Sequence, residues 1–362
     1  MQQPSGTIVP ATAPAPAAMR DPIDTARLEQ YLQGRIAPFR GPLTIAQFPV
    51  GQSNPTYRVN TADGRSYALR KKPSGTLLPS AHAIDREFRV ITALDKAGFP
   101  VATPVLYCED ASIIGTAFYL MDFVEGRSYW DQALPGMSRA QRYAIWDELN
   151  RVMARLHAVD FGAIGLQDYG KTGDYLGRQI RRWSSQYRAS ETERIDAMDK
   201  LIEWLPHNIP PGDETSIVHG DFRLDNVIFH PTEDRIIAVL DWELSTLGHP
   251  LADFAYLAVS YHMPVTVFPS IAGLDLEALG IPSESEFARI YCARTGRAAL
   301  DPAAWNYYIA YNLFRIAAIS QGVGKRALDG NASSADGAEV GKKARPIAEL
   351  AWSLVAHLAG DA

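Results

Sequence analysis

Cysteine is scarce in this chain, with two in 362 residues, Cys108 and Cys292. So few exclude a disulfide framework and any multi-cysteine zinc site. Both stand in apolar runs, VLYC and RIYC, where a free thiol reads as a small buried hydrophobe. Positive charge is also short: 35 Lys and Arg face 41 Asp and Glu, for a net charge of −6. That balance speaks against a binder of the nucleic-acid backbone, so no nucleic-acid partner is expected. A membrane-length apolar run is missing too. The longest uncharged stretch, 254–274, is broken by Pro264 and Pro269 and carries Ser, His and Thr, so it reads as buried core. Residues 1–20 lack the basic segment and apolar run of a secretory signal, and the expected compartment is the cytoplasm. The eight histidines form no i, i+4 metal pair. Gly322-Val323-Gly324-Lys325 is not a P-loop, since the first glycine and the Ser/Thr are both absent.

What remains is an ordinary globular composition, 47% hydrophobic and 21% charged, long enough for about two folding units. Residues 1–20, rich in Ala, Pro and Thr, read as a disordered tail. Residues 21–124 read as a small lobe of strands and helices. Thr56-Tyr-Arg-Val-Asn and Arg65-Ser-Tyr-Ala-Leu-Arg flank an Ala-Asp-Gly turn, a hairpin signal, and a helix is expected over 83–97. Residues 125–362 read as mainly helical, with helices over 141–159, 176–188, 191–205, 284–295, 302–321 and 345–358. The exception is 216–244, which is rich in short β runs. Residues 329–341, DGNASSADGAEVG, read as an exposed loop. The fold class is α+β in two lobes.

The chemistry concentrates in 218–229, VHGDFRLDNVIF, where apolar runs flank two Asp and an Asn. Fifteen residues after Asn226, the apolar run AVL ends in Asp241-Trp242-Glu243. Phosphoryl transfer needs such a set: one carboxylate to orient the attacking hydroxyl and take its proton, and an amide oxygen and second carboxylate to hold Mg²⁺ against phosphates.

HGDFRLDN followed by LDWE resembles the aminoglycoside phosphotransferase/choline kinase family, which has a bilobal protein-kinase-like fold. The resemblance implies Asp221 as catalytic base, with Asn226 and Asp241 as catalytic Mg²⁺ ligands, Glu243 beside them, and Asp253 supporting the loop from behind. It implies ATP in the first lobe. Ser53, Asn54 and Thr56 belong to the turn that would cover the phosphates, although repeated glycines are absent. Arg70 stands where kinases carry a lysine, with Glu87 as its partner on the next helix; Lys72 is the alternative phosphate ligand on the same strand face. The main chain from Met121 to Val124 would hold the adenine edge.

On the acceptor side, the basic segment around Arg182, Tyr187 and Arg188, together with Arg223, suits an anionic substrate better than a polycationic drug. The alternative is that these are solvated helix faces. The segments GTLLPSAHAIDREFRV, GLQDYGKTGDY, LDWELSTLGHPLADFAY and QGVGKR resemble the kinase-like domain attached to acyl-CoA dehydrogenase family members 10 and 11. That likeness implies a hydroxyacyl-CoA or related hydroxy compound as acceptor, and an acyl-CoA dehydrogenase on a separate chain as partner. Gly248-His249-Pro250 departs from the Gly-Asp-Pro of many relatives. The expected function is ATP- and Mg²⁺-dependent phosphorylation of a small-molecule hydroxyl. An aminoglycoside O-phosphotransferase and a nucleotide-binding pseudokinase scaffold are the rival readings.

Overall fold

The computed structural model describes residues 9–10, 22–48, 54–73, 83–330 and 336–359. Strand β1 (Val9–Pro10) pairs antiparallel with β7 (Arg127–Ser128); the rest of residues 1–20 lies outside the described residues. The first lobe holds α1 (Thr25–Leu32), β2 (Thr44–Gln47), β3 (Thr56–Asn60), β4 (Ser66–Lys71), α2 (Ile84–Lys96), β5 (Pro104–Cys108), the short α3 (Ala111–Ile114) and β6 (Phe118–Asp122). Its five strands form one antiparallel sheet in the order β2-β3-β4-β6-β5.

Period-two alternation decides which residues face which partner. Tyr57, Val59, Tyr67, Leu69, Phe118 and Leu120 turn to one side and pack with Leu28 and Leu32 of α1. Arg70 and Tyr119, paired in register, turn to the other side, where α2 lies. The buried stripe of α2, Ile84, Val90, Ile91 and Leu94, joins the large core of the second lobe rather than the small core of the first. Helix α2 therefore ties the lobes together. Gly126 sits at the crossing: a Cβ there would lie 2.2 Å from the Phe229 carbonyl oxygen, so only glycine fits without backbone movement.

The second lobe contains α4 (Arg139–His157), α5 (Tyr175–Ala189), α6 (Asp196–Trp204), β8 (Ser216–Val218), β9 (Val227–Phe229), β10 (Ile236–Val239), β11 (Thr246–Gly248), α7 (Pro250–Ala258), the short α8 (Leu276–Leu279), α9 (Glu284–Thr295), α10 (Pro302–Leu328), α11 (Gly337–Lys342) and α12 (Ala344–Val355). Helix α4 opens on a capping box, Ser138 with Gln141, which satisfies two otherwise orphan donors. Helix α10 runs 27 residues through the core and packs on α5, α7, α11 and α12. Among the described residues no helix is long and apolar enough to cross a membrane.

The stretch 329–341 departs from expectation. Residues 331–335 lie outside the described residues, but the glycine-rich end forms α11 instead of an exposed loop. Gly341 lies so close to Gly324 of α10 that a Cβ on either would stand 2.7 Å from the other's Cα. Small residues here serve close helix contact, which offsets their poor intrinsic helix propensity.

Candidate active site

Strand β8 delivers the chain into a tight loop, His219-Gly220-Asp221. Gly220 adopts φ +82°, and a side chain there would press on the Leu244 carbonyl at 2.9 Å. Asp253, on α7, fixes the loop from behind: its two oxygens accept the amides of His219 (2.7 Å) and Gly220 (2.8 Å). His157 of α4 reaches the same carboxylate at 3.3 Å. Burial alone would raise the Asp253 carboxyl, but these partners outweigh it and hold it below the usual carboxylate range. The His219 ring donates from Nε2 to the Leu240 carbonyl (2.7 Å) and accepts the Asp221 amide on Nδ1 (3.2 Å). It is a structural brace.

Asp221 carries one donor on each carboxylate oxygen. Asn226 Nδ2 donates to Oδ2 (3.0 Å) and to the Asp221 carbonyl (2.9 Å). The Tyr256 hydroxyl donates to Oδ1 at 2.5 Å. Burial, and then the neighbouring Asp221 charge, pushes that phenol far above its ordinary range, so it stays a proton donor. Arg315 is buried beside it. Its guanidinium lies 5.2 Å from the Tyr256 ring and 5.7 Å from the Trp183 ring, and it donates to the Gly220 carbonyl at 2.6 Å. Tyr256 and Arg315 were not singled out from the sequence, although Tyr256 closes the LDWELSTLGHPLADFAY segment.

On the nucleotide side, Arg70 gathers three carboxylates. It pairs with Glu87 at 2.9 Å, Asp241 at 2.7 Å and Glu243 at 3.3 Å. Burial opposes the Arg70 charge, but Glu87 and the other acids more than offset it and raise its pKa. Burial pushes the Glu87 carboxyl up, and Arg70, the Tyr119 hydroxyl (3.1 Å) and Asn54 Nδ2 (2.6 Å) converge on it and partly oppose that rise. Asp241 adopts φ +63°, a left-handed conformation that Asp tolerates better than most residues and that occurs often at functional sites. The Asn226 amide nitrogen is committed to Asp221, which leaves its Oδ1 as the cation-facing atom. An amide oxygen and a carboxylate are the hard donors Mg²⁺ takes when phosphates and waters complete its shell. Among the described residues no group of three or more His, Cys, Asp or Glu forms a closed metal cage, so a cation here would depend on its nucleotide.

A cavity of about 240 Å³ lies against Tyr256 and Arg223, both of which reach Asp221. Tyr256, Ser260, Phe268, Ile316, Ile319 and Ile347 represent its walls, and among the described residues no Asp or Glu lines it. Arg223 borders it, its guanidinium 5.1 Å from the Phe268 ring and 2.6 Å from Asp225.

The pattern of the Phosphotransferase enzyme family matches residues 44–299. Acyl-CoA dehydrogenase family member 10 of Mus musculus is 51% identical over 348 residues, covering 95% of this chain and 32% of the relative. The chain thus spans about a third of that relative's length. A Ralstonia eutropha crystal structure that bears an aminoglycoside phosphotransferase name is 53% identical, with a TM-score of 0.83 over 92% of this chain and 98% of that one. A choline kinase from Cryptosporidium parvum shares the fold at 12% identity, with a TM-score of 0.66 over 93% of this chain and 97% of that one. The chain belongs to the phosphotransferase enzyme family. It is a small-molecule kinase with the bilobal protein-kinase-like fold, and membership implies ATP and a divalent cation.

In this phosphotransferase the expected site residues meet different fates. The contacts above join Asp221 with Asn226 and gather Glu87, Asp241 and Glu243 around Arg70. Asn54 is there too, but its side chain braces Glu87. Thr56 opens β3 and bonds the Asn54 carbonyl at 3.3 Å, while Ser53 lies outside the described residues. Arg70, rather than Lys72, makes the pair with Glu87; Lys72 follows the end of β4 and donates its amide to Ala117. Met121 pairs with Ala68 and Pro104 inside the sheet, and Val124 lies half-buried just beyond it.

Three acceptor-side expectations need correction. Tyr187 is fully buried on the core face of α5, with Leu176, Ile180 and Trp183. Arg188 is paired with Asp199 at 2.6 Å. Arg182 is exposed, stacks on Trp183 at 5.4 Å and does not line the cavity. The basic segment is thus mostly a surface helix face. Only Arg223 of that set borders the cavity. His249, in the departed Gly-Asp-Pro position, accepts the Leu251 amide (3.3 Å) as the N-cap of α7 and stacks on Tyr308.

Proposed function

We propose that the chain moves the γ-phosphoryl group of ATP to the hydroxyl of a hydroxyacyl compound, either a hydroxyacyl-CoA or a related hydroxy acid. The observation that carries this reading is the cavity. It is mostly apolar, free of carboxylates and bordered by Arg223, and it abuts Tyr256, the donor to Asp221. An aliphatic chain seated there gains about 0.8 kcal/mol per buried CH₂. A polycationic aminoglycoside would meet an arginine instead of the carboxylates it needs, so antibiotic phosphorylation is disfavoured.

Asp221, held by Asn226 and Tyr256, orients the acceptor hydroxyl and accepts its proton as the oxygen attacks phosphorus. Asp241 and Asn226 would hold Mg²⁺, which neutralises charge on the phosphates. Arg70 supplies a fixed positive charge at the same wall, and Asn54 and Tyr119 keep Glu87 in place to hold it. This chemistry suits the cytoplasm, where ATP is available. An acyl-CoA dehydrogenase on a separate chain, acting on the same thioesters, is the partner this reading supplies.

An ADP-release assay with hydroxyacyl-CoAs, hydroxy acids, choline and aminoglycosides tests the proposal. The expected result is highest kcat/KM on the first two classes. Preferential turnover of an aminoglycoside or of choline overturns it.

A further inference from the structure

The cavity wall farthest along the chain from the catalytic loop carries a cation that no step above uses. Val340, Lys343 and Ile347 follow one another at i, i+3 and i+7 across the α11–α12 junction, a spacing that puts them on one helical face, and all three line the cavity. Glycine sets how closely this face approaches. The backbones of α10 and α11 touch at Gly324 and Gly341, so any larger residue would lift the wall. Gly324, within the run that fails as a P-loop, has this role instead.

Lys343 is half-buried, and its ammonium has no partner among the described residues. Its neighbour Lys342, by contrast, pairs with Glu339 at 2.6 Å. Arg223, the other cation of the lining, is answered by Asp225. Among the described residues no carboxylate lines the cavity, so Lys343 has no counter-ion there. A cation facing an apolar cavity in this way is satisfied by an anion that arrives with the ligand.

We propose that Lys343 binds the anionic group of the acceptor and so selects acidic acceptors over neutral ones. The proposal rests on the cavity being the acceptor site, as read under Proposed function. The anion is either the carboxylate of a free hydroxy acid or a phosphate of a CoA thioester; a mobile ammonium, unlike a planar guanidinium, meets both geometries.

The test compares Lys343→Gln and Lys343→Arg with the unaltered chain. Three acceptors with the same alkyl chain and hydroxyl are used: the free hydroxy acid, its CoA thioester and its methyl ester. Lys343→Gln is expected to raise KM about tenfold for a charged acceptor, with the change in KM rather than kcat. The methyl ester and ATP should keep their KM values, and Lys343→Arg should recover most of the loss. Whichever of acid and thioester loses affinity identifies the anion. Equal effects on charged and neutral acceptors, or no effect on either charged one, overturn the assignment. If the unaltered chain turns over none of the three, the acceptor reading itself fails. Lys343 is then judged by calorimetric titration of the deoxy acid and deoxy thioester. Binding to the unaltered chain that Lys343→Gln weakens supports the role, and equal or absent binding overturns it.

Discussion

On the nucleotide side of Asp221, Glu87, Asp241 and Glu243 converge on the single guanidinium of Arg70. On the side proposed for the acceptor, Arg223 and Lys343 border a mostly apolar cavity in which no carboxylate stands among the described residues. The difference follows from how each ligand brings its charge. A nucleotide arrives with a cation, so an acidic wall can receive it. An acidic acceptor arrives without one, so its wall must supply the positive charge. The overall charge of −6 conceals this local reversal.

The boundary between the walls offers the largest test. Asp221→Asn should lower turnover about 10²–10⁴-fold while nucleotide binding, followed by calorimetry, persists. Loss of nucleotide binding as well would mean that the two walls do not act separately.

Arg70→Gln should cost about 3–5 kcal/mol in urea unfolding, because it strands three carboxylates around a mostly buried position. Mg²⁺ supplied together with ATP should restore part of that stability. If it restores none, the acidic wall is not a cation site.

A third test separates the scaffold from both walls. Burial lowers the pKa of His249 from 6.5 to about 4. Between these values the unfolded chain binds more protons than the folded one, so stability is fully present above about pH 6.5 and falls as pH drops toward 4. The loss should reach about 3 kcal/mol, and His249→Asn should flatten that slope in pH-dependent thermal melts.

Tyr256→Phe should reduce kcat about tenfold by removing one donor from Asp221, with KM for ATP unmoved. Smallest of all, Ile319→Phe should narrow the cavity and raise the acceptor KM about threefold without touching the nucleotide side. A matching rise in KM for ATP would erase the distinction drawn above.

The two walls also differed in how well they could be read from sequence. The catalytic loop is legible because its chemistry is local: Asp221 and Asn226 are five residues apart, and Asp241 closes the next strand-loop unit. Arg70 and Glu87 were reached through the resemblance to the lysine–glutamate pair of kinases, with strand alternation placing Arg70 on the face where that lysine would stand. The proposed acceptor cavity draws on Arg223, Tyr256, Phe268, Ile319 and Lys343, residues far apart in sequence that two helices, the α11–α12 junction and two loops bring together. No spacing rule links them. Tyr187 shows the opposite failure. It was expected at the substrate because it stands among arginines, yet Leu176, Ile180, Trp183 and Tyr187 already follow the i, i+4, i+7, i+11 stripe of a buried helix face. Aromatic residues on such a stripe belong to the core before they belong to a ligand. The lobe order was readable from runs of strand and helix signals, whereas α11 was hidden because glycine-rich sequence resembles loop until a second glycine faces it.

The His219 brace has a consequence for the fate of the transferred proton. One ring nitrogen is occupied by the Leu240 carbonyl and the other by the Asp221 amide, so the imidazole has no free position with which to pass a proton inward. A proton taken up by Asp221 is therefore not relayed inward through His219.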